Sequence, residues 1–188
     1  MKVLAKQMMN GVDVARLFET INAVKAQPEL ATFKFRITNS WKGGGENRSE
    51  ITDFHGCMQD IRHARPFTLV ADEPDVLLGA DNGANPVEFL LHALAACVTT
   101  SMVYHAAAKG FAIEAIESSL EGDLDLRGFL GIDPSVRNGY QQIRMKVKMK
   151  TNGTDEQINE ICCLGPMFSP VFDSVTKGVP VSVTAERM

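Results

Sequence analysis

The sequence predicts an α+β fold. Its apolar period runs from 3.6 to 2, back to 3.6 and again to 2, in blocks and not in strict strand–helix units, so a doubly wound sheet is excluded. A long, nearly uninterrupted apolar segment at residues 86–98 stands between two groups of alternating segments, as a core helix would. The 188 residues are 45% hydrophobic and 22% charged, the balance of an ordinary globular chain.

The elements follow in order. Val14, Leu17, Phe18, Ile21 and Val24 recur at three and four residues, so 11–26 is a helix with one apolar face, ended by Pro28. Its other face is charged, which suits an extension packed on the main body or on a partner subunit. Phe33, Phe35 and Ile37 alternate with Lys34, Arg36 and Thr38, a half-buried strand. Gly43-Gly44-Gly45 marks a turn, and residues 48–55 and 66–71 read as two more strands. Pro74, Gly79 and Gly83 make 72–85 a loop with a turn of helix.

Asn85 suits a helix cap and Pro86 the first helical position, so a helix runs over 86–108, apolar on all sides and expected to be buried on all sides. Glu88, His92, Thr99, Thr100, Ser101 and His105 interrupt it too often for a membrane span. Ala93, Ala95 and Ala96 would let another helix approach closely. Leu120–Leu126 and Ile143–Met149 alternate with acids and with bases respectively, predicting an antiparallel pair with opposite charges facing across the strands. A helix over 154–164 is expected to break at Gly165-Pro166. A second helix starts at Ser169-Pro170 and ends near Lys177-Gly178, and Val179, Val181, Val183 and Ala185 form a last strand.

With 19 Lys+Arg against 23 Asp+Glu, the net charge of −4 excludes a general nucleic-acid binder. The N-terminal residues carry no secretory signal, which predicts a cytoplasmic protein with reduced thiols. Those thiols are Cys57, Cys97, Cys162 and Cys163. Their spacings with His55 and His63 match no zinc template, and Cys162-Cys163 is not the spacing of a redox pair. His92 shares a helix face with Glu88 but lies about 140° around from Cys97, so no Cys-His dyad forms along one helix.

Asn85-Pro86-Val87-Glu88-Phe89-Leu90-Leu91-His92-Ala93-Leu94-Ala95-Ala96-Cys97 resembles the OsmC/Ohr family, the osmotically inducible and organic-hydroperoxide-resistance proteins. Ser169-Pro170-Val171-Phe172, then Val179-Pro180-Val181-Ser182-Val183, resembles that family's C-terminal helix and last strand, and Gly43-Gly44 with Arg48 its N-terminal hairpin. The resemblance divides the chain into an N-terminal helical extension, 1–30, and an OsmC-like domain, 31–188.

It implies an intertwined homodimer, with antiparallel sheets wrapped around a buried central helix. It also implies a thiol peroxidase that reduces small apolar organic hydroperoxides in an oxidative stress response. Such an enzyme needs no cofactor or metal beyond an external dithiol reductant, and no nucleic-acid or membrane partner. Cys97 matches the peroxidatic cysteine. Arg48 matches the arginine that favours its thiolate, and Glu88 stands one position after the family's glutamate, where this chain has Val87. Ser169 replaces the resolving cysteine, leaving Cys162, Cys163 or an external thiol to resolve. A non-catalytic small-molecule-binding or redox-sensing protein on the same scaffold is the alternative.

Overall fold

The computed structural model describes residues 7–188. They divide into two units: Asp13–Leu90, and Leu91–Met188 joined by Met8–Val12. In the first unit, α1 (Val14–Ala26) is capped by Asp13, whose side chain accepts from the Arg16 N–H at 3.2 Å. A 3₁₀ turn follows at Pro28–Ala31. Four antiparallel strands then form a sheet: β3 (Lys34–Phe35), β4 (Thr38–Gly43), β5 (Glu46–Gly56) and β6 (Gln59–Ala71). β5 pairs with each of the others, placing Phe35 opposite Phe54, Ser40 opposite Arg48 and Ile51 opposite Phe67.

β6 is twice the expected length, because Pro66 does not begin a strand but lies inside one. The register jumps from Asp53↔Arg62 to Ile51↔Phe67, so residues 63–66 bulge where proline has no N–H for the ladder. The bulge also brings aromatic side chains onto one face. Phe33, Phe35, Phe54, His63 and Phe67 form a chain of ring contacts with centroids between 5.0 and 6.2 Å apart. Arg36 meanwhile bridges Asp53 at 2.6 Å and Asp60 at 2.9 Å, and His55 Nδ1 lies 3.1 Å from Asp60.

α2 (Pro86–Ala108), which begins in the first unit and continues into the second, has the expected limits. β7 (Ala115–Asp123) pairs antiparallel with β8 (Gln142–Lys150), Glu117 opposite Lys148 and Glu121 opposite Arg144, as the charge alternation predicts. Arg144 reaches Glu121 at 2.7 Å and Asp123 at 2.5 Å. β7 ends earlier than expected because Asp125 caps a short helix, α3 (Leu126–Phe129). α4 (Asp155–Phe168) opens with a capping box between Thr154 and Gln157, and α5 (Pro170–Lys177) starts at the predicted proline. The core is a stripe of α2, Leu94, Val98, Met102 and Ala106, packed with Ile161 of α4 over the inner side chains of β7 and β8.

The two-residue strands β1 (Met8–Met9) and β2 (Val12–Asp13) are new relative to the sequence reading. Asn10 and Gly11, with φ of +52° and +77°, close them in the left-handed geometry of a tight hairpin. The Asn10 amide then donates to the Phe111 carbonyl at 2.9 Å and accepts from the Ile113 N–H at 2.8 Å.

Three expectations are corrected. α2 is not buried on all sides, since His92, Ala96, Thr100 and Tyr104 are exposed on the side away from the buried stripe. α4 does not break at Gly165-Pro166. Gly165 is there for close approach: a Cβ on it would lie 2.7 Å from Met102 Cγ and 2.9 Å from Val98 Cγ1. Pro166 removes the bond to the Cys162 carbonyl, and α4 runs on through it. Finally, 179–185 forms no strand; its valines find no ladder partner among the described residues and are exposed.

Candidate functional site

Cys97 sits on α2 next to the buried Val98 and is itself half-buried, a free thiol neither sealed in the core nor fully in solvent. Nine residues earlier, Glu88 is held by the helix start. Its Oε2 accepts the Asn85 N–H at 2.9 Å, while Asn85 Oδ1 accepts the Val87 N–H at 3.0 Å. This reciprocal capping satisfies donors that a helix start leaves orphaned. Because α2 is continuous, Glu88 lies about 13 Å from Cys97 along its axis.

Arg48 stands on β5, exposed, and makes no ion pair among the described residues. It is a cation with its charge uncommitted. Ser169, at the resolving position, is buried at 2% exposure, and its hydroxyl caps α5 by accepting the Phe172 N–H at 3.1 Å. Cys162 is half-buried against the core, and burial first, then the neighbouring Cys163, pushes its thiol up. Cys163 is exposed. Gly165 faces α2, and two helical residues span about 200°, so Cys163 points away from α2. Near the end of α2, His105 stacks on Phe168 at 4.2 Å between centroids. Burial, and then Lys109, hold that imidazole below its ordinary pKa.

Asp72 was not singled out from the sequence. Its carboxylate, 1% exposed, accepts backbone N–H groups from Glu73 at 2.8 Å and from Ala80 and Asn82 at 3.1 Å each. These bonds, Asn82 foremost, hold its pKa below the ordinary carboxylate range although burial opposes them. Glu73 in turn accepts from the Asn85 side chain at 2.6 Å, which ties this loop to the cap of α2. An acid heading a Gly- and Asn-rich loop was the available signal. A cavity of about 210 Å³ beside it is lined by Gly43, Gly44, Gly45, Glu46, Asp72 and Leu78–Ala80. Among the described residues no group of three or more His, Cys, Asp or Glu side chains could hold a metal ion.

α2 is long and apolar enough to cross a membrane by length and composition, a test that core helices also pass. Here its buried stripe packs on α4, β7 and β8.

An α+β unit built from an apolar helix, a charged hairpin and two closing helices, with a cysteine midway along the first helix, defines a known class. The family model described as OsmC-like protein matches residues 79–184, more than half of the chain, and the protein belongs to that family. Solved structures agree on the fold. The OsmC-like protein of Mycoplasma pneumoniae superposes with a TM-score of 0.59 at 19% identity, covering 78% of this chain and 89% of that one. A putative osmotic stress induced and detoxification response protein of Psychrobacter arcticus 273-4 gives 0.56 at 14%, covering 76% and 88%. An OsmC-like protein of unknown function from Vibrio cholerae gives 0.55 at 15%, covering 76% and 94%. No curated protein sequence matches the chain.

Proposed function

We propose that this protein is a thiol-dependent peroxidase that reduces organic hydroperoxides through Cys97. The observation that carries the reading is a half-buried free cysteine on the apolar helix α2 of an OsmC-like chain. The Cys97 thiolate attacks the distal peroxide oxygen. The O–O bond breaks, the alcohol leaves with a proton, and Cys97 becomes a sulfenic acid. Arg48, at the position that resembles the family's arginine, is assigned the role of favouring the thiolate, since a cation brought beside a thiol lowers its pKa and Arg48 makes no ion pair among the described residues. Glu88 is assigned to the cap of α2 and not to the chemistry.

Resolution is assigned to an external thiol. Ser169 cannot form a disulfide and is occupied as a buried cap, Cys163 points away from α2, and burial pushes the Cys162 thiol up, which disfavours the attacking thiolate. A dithiol reductant therefore reduces the sulfenic acid in two steps, releasing water and leaving its own disulfide. Four free thiols suit a reducing, cytoplasmic location.

The working form is a homodimer. A second copy that covers the exposed rings of Phe33, Phe35 and Phe67 would take apolar surface out of water.

The test is hydroperoxide-dependent consumption of a dithiol by the wild type and by Cys97→Ser. Activity lost in the variant is the expected result; equal rates in both would overturn the assignment. The loss of both the family's glutamate position and its resolving cysteine supports one other reading, a binding or sensing protein without turnover. That reading predicts no consumption in either protein and a ligand that protects Cys97 from alkylation.

A further inference from the structure

We propose that Cys162 and Cys163 form a two-thiolate site for a soft, thiophilic trivalent centre, of which a trivalent arsenical is the representative. Both thiols are free, and nothing in the proposed peroxidase cycle uses them. Their α-carbons are consecutive, about 3.8 Å apart, closer than the 4.4–6.8 Å that a disulfide normally spans. The pair therefore resists closing on itself and persists as a dithiol. An intervening atom bonded to both sulfurs lengthens the bridge and closes the ring that a direct S–S bond does not. Thiolates are the ligands such soft centres prefer.

The two sulfurs differ in a way that suits capture in two steps. Cys163 is exposed and meets the incoming group first. Cys162 is half-buried against the core, so its thiol comes second. Side chains one residue apart in a helix point about 100° from each other, so Cys162 must swing toward Cys163. The Cys162 carbonyl faces Pro166 four residues on, which has no N–H to give it, so the helix lacks one of its bonds there.

Phenylarsine oxide is the probe. Its As=O oxygen leaves as water with the two thiol protons, two As–S bonds form, and arsenic stays trivalent. With one equivalent, the titratable thiols of the folded wild type are expected to fall from four to two, with a single adduct by intact mass. Cys163→Ser, a change at an exposed position, and Cys162→Ser are each expected to keep all three remaining thiols when a competing monothiol is present. Cys97→Ser is expected to bind as the wild type does, so the result stands apart from the peroxidase reading. Four thiols still titratable in the wild type would overturn the proposal, as would an adduct that survives in Cys163→Ser.

Discussion

The two units of this chain solve the burial problem differently. Among the described residues, the six buried apolar ones, Leu94, Val98, Met102, Ala106, Ala107 and Ile161, all lie in Leu91–Met188. Asp13–Leu90 has none, although it carries five rings in mutual contact, with Phe33 46%, Phe35 76% and Phe67 47% exposed. The second unit closes a layer of helices over a two-stranded sheet. The first builds a larger sheet and leaves its aromatic face bare. Neighbouring rings left this exposed mark a surface suited to being covered. The lesson is that an alternating apolar pattern specifies which face of a sheet is apolar, not what lies on it.

Four changes probe this contrast, from the largest effect to the smallest. Met102→Ala removes a fully buried side chain and is expected to cost about 2–5 kcal/mol in denaturant unfolding. A loss well under 1 kcal/mol would mean that the second unit does not rest on this stripe. Phe35→Ala should barely change the fold of a single chain. If a second copy covers the ring, it should weaken association by about 1.5–3 kcal/mol, read as a shift in the concentration for half-dissociation during sedimentation. An unchanged dissociation curve would place Phe35 outside the dimer contact.

Ser169→Ala removes the cap of α5 and should cost about 1 kcal/mol. The smallest effect is on pH. Asp72's pKa is held low in the folded loop, so as pH falls the unfolded chain binds the proton first. Stability from this group is therefore present above about pH 4 and is lost as pH drops below it. Asp72→Asn should flatten that acid limb in a thermal unfolding series, and an identical limb in both proteins would contradict the assigned bonds.

Much of this was legible from residue pattern. The limits of α2, the cap at Asn85 and the charge-matched pairing of β7 with β8 follow from local chemistry, and the structure has them. What failed depended on distant contacts. Gly165-Pro166 reads as a break, yet Gly165 serves a helix–helix approach that no local pattern reveals. Apolarity all round α2 gave no clue to which stripe would be covered within the chain. The valines at 179, 181 and 183 carry a strand pattern, but a strand needs an edge to pair with. Within the candidate site, Cys97 could be placed on its helix from sequence. That Glu88 and Ser169 serve as caps required the coordinates.

The most direct test of the central claim is intact-protein mass spectrometry with peptide mapping after one equivalent of an organic hydroperoxide. One added oxygen on Cys97 and no disulfide to Cys162 or Cys163 is the expected result. An unmodified Cys97 would contradict the peroxidase assignment, and a loss of two hydrogens mapped to Cys97 and either of the α4 cysteines would contradict external resolution.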